Sequence, residues 1–86
     1  MRFRLSTHAQ REMARRDIPR TLLDEVLRAP QQIVEEHQGR KAYQSIVDFG
    51  RGRMFLLRVI VRDDIEPGIV VTVYRTSRIS KYWRST

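Results

Sequence analysis

The chain changes its hydrophobic period once, and that change divides it into a helical first third and a β-rich remainder. Arg2-Phe3-Arg4-Leu5 alternates charged and apolar side chains, the pattern of a short edge strand. Thr7 and Gln10 then stand at capping-box spacing, in which the threonine hydroxyl takes the N3 amide proton and the glutamine reaches back to the threonine amide. The helix they open should run over 7–16 and stop ahead of Asp17-Ile18-Pro19. Pro19 is placed to start a second helix, where its missing N–H costs nothing. Leu22, Leu23, Val26 and Leu27 give that helix an apolar stripe, with Asp24 and Glu25 turned to solvent, and Ala29-Pro30 ends it.

From Gln32 onward the period is two. Segments 33–37, 41–47, 54–62 and 69–76 are separated by the turn signals Gln38-Gly39-Arg40, Gly50-Arg51-Gly52 and Glu66-Pro67-Gly68. The last two segments are almost continuously apolar and should be central strands, while the more polar first two lie toward an edge. Connections this short dictate an antiparallel meander, and the helical hairpin must bury its stripe against one face of it. The expectation is a single α+β domain over 1–86, in the order β-α-α-β-β-β-β, with two N-terminal helices packed on one face of a four-stranded antiparallel sheet. Arg84-Ser85-Thr86 should fray.

Composition narrows the function classes. At 86 residues the chain holds one core and no separate substrate domain, so a ligand must sit on a surface or in a shallow groove. Lys and Arg outnumber Asp and Glu 17 to 10, a net charge of +7, and the cations are mostly Arg, which suits bidentate contact with phosphate or carboxylate. The partners this implies are nucleic acid or an acidic protein. Cysteine is absent, and His8 and His37 cannot form a structural zinc site unaided, so no metal and no cofactor is expected. The stretch 1–5 is too short and too charged for a signal peptide, and no apolar run approaches the roughly 20 residues that cross a bilayer, which points to a cytoplasmic protein without membrane contact.

Candidate chemistry lies near the two ends. On a helical wheel His8, Arg11 and Arg15 fall within about 60° of one another, with Glu12 beside His8 and Met13 roughly opposite. Spacing alone is satisfied by the solvated face of an amphipathic helix. A sharper reading notes that His8 is in the first turn, where unpaired amides and the positive end of the helix dipole favour a phosphate. The same field disfavours a protonated imidazole, and a neutral imidazole beside a phosphate is a general base.

Strand parity adds a second group. Arg58 and Arg62 share a face with Met54, Leu56 and Ile60, whereas Phe55, Leu57, Val59 and Val61 form the apolar side that the helices should cover. In the last strand Val71 and Val73 are assigned to the core side, which puts Tyr74 and Thr76 on the open face with Arg58 and Arg62. That surface serves as a solvated sheet face or as a binding groove. Arg75, Thr76, Ser77 and Arg78 could hold a phosphate where the strand ends, with Lys81 beyond them. Tyr82 and Trp83 read first as core-capping aromatics and second as base-stacking platforms. His37 reads as an ordinary exposed histidine, and Gly50-Arg51-Gly52-Arg53 as a hairpin turn.

The His-Ala-x-Arg-Glu-Met-Ala-x-Arg run from His8 to Arg16, the helix ending in Pro30, and Val70-Val71-Thr72-Val73-Tyr74-Arg75-Thr76-Ser77 followed by Lys81-Tyr82-Trp83 together resemble a family of small bacterial domains of unknown function grouped with the RelE/ParE toxin superfamily. The resemblance implies a RelE-like fold and a type II toxin held inactive by an acidic antitoxin, with the ribosome as a candidate partner. The leading expectation is a metal-independent endoribonuclease acting by attack of the ribose 2′-OH on the adjacent phosphorus. His8 would take the 2′ proton; Arg11, Arg15 and Arg75 would neutralise the phosphorane; Tyr74 or Thr76 would serve the leaving 5′ oxygen. Arg58, Arg62, Ser77, Arg78 and Lys81 would extend the nucleic-acid-binding surface. Two rivals stand beside it: a non-catalytic protein using the same basic surface for nucleic acid or a protein target, and a toxin-like domain that has lost activity and survives as a partner-binding module.

Overall fold

A computed structural model describes residues 2–85. Its elements are β1 (Phe3–Leu5), α1 (Thr7–Arg15), α2 (Arg20–Arg28), β2 (Gln32–Glu35), β3 (Lys41–Asp48), β4 (Met54–Arg62), β5 (Gly68–Thr76) and α3 (Ile79–Tyr82). The sheet order is β1-β5-β4-β3-β2. Strands β2 to β5 form the expected antiparallel meander. The sheet is nonetheless five-stranded and mixed, because β1 joins β5 in parallel, with Phe3 opposite Gly68 and Leu5 opposite Val70. That pairing joins distant parts of the chain, and no local pattern announces it.

Helices α1 and α2 cover one face, where Ala9, Met13, Leu23 and Val26 meet Leu57, Val59, Val61 and Val73. The start of α1 differs from the capping-box expectation. Ser6, in extended conformation, is the N-cap, and its Oγ accepts from the Ala9 amide at 3.0 Å and donates to the Val71 carbonyl at 3.0 Å. The cap moves back one residue because Ser6 alone can serve helix and strand together; Gln10 reaches the Leu5 carbonyl instead of the Thr7 amide. Pro19 likewise precedes α2 as its N-cap.

Strand parity is interrupted in β5. Ile60 faces Thr72 but Val61 faces Val70, so Val71 is an extra residue at a bulge. This puts Val70, fully buried, on the core side and frees Val71 from it, reversing the assignment made by simple alternation. Beyond the bulge alternation resumes, with Val73 in the core and Tyr74 packed in the cluster on the opposite face.

Gly68 fits its place through lack of a side chain. A Cβ there would lie 2.6 Å from Cε1 of Phe3 and 3.1 Å from the Arg62 carbonyl oxygen, and the Phe3 ring is held edge-on against Tyr43 with centroids 5.7 Å apart. Gly68→Ala should therefore lower stability by about 1–3 kcal/mol through overpacking. Urea unfolding checks this, and part of the loss should return when Phe3 is shortened to leucine in the same chain; an unshifted midpoint in the single variant would contradict the close approach.

The second face is not open. The C-terminal segment crosses it, with the Gln44 side-chain amide donating to the Tyr82 carbonyl at 3.2 Å and Gln32 exchanging two hydrogen bonds with the Arg84 backbone, at 2.6 and 3.1 Å. Arg84, expected to fray, is thus tied to edge strand β2; Thr86 lies outside the described residues. Among those residues no helix is long and apolar enough to cross a membrane.

Candidate nucleic-acid interface

Strand β1 ends opposite Val70, so among the described residues the outer side of β5 beyond that point has no strand beside it. Helix α1 packs along this half of β5, anchored at its start by the Ser6 amide donating to the Val70 carbonyl at 3.1 Å. His8 is exposed there in the first turn. Its Nε2 lies 3.1 Å from Oγ1 of Thr72, a contact whose donor depends on the imidazole tautomer. Arg11 is exposed and has no carboxylate partner among the described residues. Glu12, which the wheel put beside His8, turns to the arginines: it accepts from Arg15 Nη2 at 2.8 Å and from Arg16 Nε at 2.9 Å. These two guanidiniums, Arg15 foremost, hold the Glu12 carboxyl down at about 2. Two of the helix cations thereby share one carboxylate, while Arg11 and His8 are exposed without one among the described residues.

The second group behaves differently from its expectation. Arg58 is only 3% exposed. Its Nε donates to Gln44 Oε1 at 2.7 Å, Nη1 to the Tyr74 hydroxyl at 2.6 Å and Nη2 to Glu36 Oε2 at 3.0 Å, while the Tyr82 ring lies 4.4 Å from Cζ. The guanidinium is spent on structure, and no phosphate reaches it while the C-terminal segment is in place. Burial raises the pKa of the Tyr74 phenol above its ordinary value, against the lowering effect of Arg58. Arg62, the other half of the expected pair, is exposed on the rim and bound to Asp64 at 3.0 Å.

Register explains this network. Gln32 faces Gln44, Gln44 faces Arg58 and Arg58 faces Tyr74, a polar row running across four strands. Sequence reasoning found Arg58 and Tyr74 and missed Gln32, Gln44 and Glu36. Period-two alternation places Gln44 on the correct face, but only the pairing of β3 with β4 sets it opposite a guanidinium.

The remaining expected residues are divided. Arg75 points to the helix-covered side at the end of β5, against Phe49 and Phe55, with Cζ 4.6 and 4.8 Å from the ring centroids. It therefore does not converge with Tyr74. Thr76 Oγ1 accepts from the Arg78 amide at 3.0 Å, closing the turn out of the strand. Ser77, Arg78 and Lys81 are exposed beyond it, with Lys81 Nζ 5.2 Å from the Tyr82 ring centroid. Among the described residues no group of three or more His, Cys, Asp or Glu side chains is placed to hold a metal ion.

Comparison with protein families matches residues 5–75 to the family described as Domain of unknown function (DUF4258). No curated protein and no solved structure matches the chain. The matched region contains His8, Arg11, Arg58, Tyr74 and Arg75 and ends before α3.

Proposed function

The chain belongs to the DUF4258 family, and from that premise we propose that it is a toxin-type RNA-binding domain of the RelE/ParE kind that cleaves RNA without a metal. The observation that carries this reading is the exposed His8 imidazole with its Nε2 already 3.1 Å from a hydroxyl oxygen, beside an unpaired length of strand and the free charge of Arg11. In the tautomer with Nε2 unprotonated, this is the contact a general base makes with the hydroxyl it deprotonates. A ribose 2′-OH entering along the β5 edge would take the place of the Thr72 hydroxyl.

In that arrangement His8 accepts the 2′ proton as the 2′ oxygen bonds to phosphorus. The bond from phosphorus to the 5′ oxygen breaks, and that oxygen leaves with a proton from solvent, giving a 2′,3′-cyclic phosphate and a 5′-hydroxyl. Arg11 supplies the charge that the phosphorane needs, with Arg15 as a weaker second because Glu12 shares it. An acidic antitoxin would inhibit by covering this basic edge. The engagement of Tyr74 by Arg58 favours a second reading, in which the same surface holds RNA and does not cut it.

Incubating the protein with single-stranded RNA and excess chelator tests the proposal, with cyclic-phosphate ends as the readout. Binding should weaken with salt at a slope of log K near −3 if about four phosphates are neutralised. Uncut RNA bound with that slope would leave the second reading standing; an affinity insensitive to salt would remove both.

A further inference from the structure

A cleft of about 440 Å³ lies between the α1–α2 turn and the β3–β4 hairpin, lined by Asp17, Leu22, Asp48, Phe49, Arg53 and Arg75 among others. Its volume is within the range of small-ligand sites. Resting on the RNA-binding reading above, we infer that this cleft is a nucleobase subsite for single-stranded RNA, with the Arg75 guanidinium as the stacking platform and Arg51 and Arg53 as the phosphate contacts.

The argument begins with what holds Arg75. It has no carboxylate partner among the described residues, and two rings at right angles to each other fix it: Phe49 and Phe55 stand at an interplanar angle of 89° with centroids 5.5 Å apart, and the guanidinium sits against both. A side chain with several rotatable bonds is thus immobilised before any ligand arrives, so a base stacking on it orders little that is not already ordered. Guanidinium planes are ordinary partners for unstacked RNA bases.

Around the platform Arg51, Arg53 and Arg75 outnumber Asp17 and Asp48, which leaves a positive excess on the hairpin side. Asp48, the carboxylate nearest in sequence to the hairpin turn, spends both oxygens on the turn, accepting from the Gly50 amide at 2.7 Å and the Gly52 amide at 3.2 Å. Arg53 lies 5.9 Å from the Phe55 centroid, and both Arg51 and Arg53 are exposed without a carboxylate partner among the described residues. Asp17, exposed on the helical side, opposes a phosphate on that wall and leaves the hairpin side for it; its carboxylate can accept from an exocyclic amino group. Helix α1 carries the chain about 10 Å from His8 to Arg15 at the rise of an α-helix, and the turn after it bears Asp17 on the cleft wall, a separation a few nucleotides span.

Fluorescence anisotropy with two probes tests the subsite: a single-stranded RNA, and an abasic ribose-phosphate oligomer of the same length. Arg75→Lys keeps the charge and loses the plane. It should weaken RNA binding about tenfold while binding the abasic oligomer as the wild type does. Phe49→Leu, which removes one supporting ring but keeps an apolar side chain, should move in the same direction, and the unchanged abasic affinity reports that each variant is folded. Equal RNA affinity in wild type and Arg75→Lys would overturn the subsite while leaving RNA binding intact, as would an equal loss toward both probes. A wild-type protein that binds neither probe would overturn the RNA reading and the subsite with it.

Discussion

Arg58→Ala should lower the folding stability by about 3–5 kcal/mol, the range for breaking a buried, hydrogen-bonded charge from one side. The substitution removes the donor to three acceptors at once and leaves Gln44, which is fully buried, and the Glu36 carboxylate without it. It also removes the cation against the Tyr82 ring, one of the contacts that hold the C-terminal segment over the sheet. For a domain of this size each kcal/mol corresponds to about 4–8 °C, so the melting temperature should fall by more than about 12 °C. Arg58→Lys should recover only part, because a single ammonium cannot reach three acceptors arranged around a planar fork. Calorimetry on the three proteins decides it: an Arg58→Ala variant melting within about 4 °C of the wild type would mean that the network contributes little beyond what water supplies.

The second large effect is on chemistry and not on stability. His8→Gln should cut RNA cleavage by roughly 10²–10⁴-fold with RNA affinity nearly unchanged, the signature of losing a group that acts only in the transition state. The melting temperature should stay where it is, since His8 is exposed and its one side-chain hydrogen bond among the described residues is that to Thr72. Arg11→Ala should weaken both binding and rate. If His8 instead serves only to tie α1 to the β5 edge, His8→Gln lowers the melting temperature and activity falls in step with the folded fraction. Single-turnover cleavage and thermal unfolding of one preparation separate the two, and a stable, fully active variant would take His8 out of the mechanism.

Local pattern determined a good deal about this protein. The apolar stripe of α2, the turn residues between strands and the continuous apolar run of β4 are each set by neighbours a few positions away, so the α+β class, the helical hairpin and the antiparallel meander could be read from them. So could His8 and Arg11 on the solvent-facing side of α1, because helical periodicity places both. What the tertiary structure alone decided are the facts that need partners distant in sequence. Strand β1 finds β5 across the chain; Ser6 takes the cap from Thr7 because Val71 is there to receive its hydroxyl; and the bulge at Val71 shifts the parity that puts Val70 in the core. Arg58 shows the reason most directly. Alternation assigns it to the face away from the helices, which is correct, but says nothing of Gln44, Glu36 and Tyr82, which come from another strand, a turn and the C-terminal segment to surround it. A side chain's face is a local property of backbone periodicity, whereas its exposure depends on what the rest of the chain lays over that face.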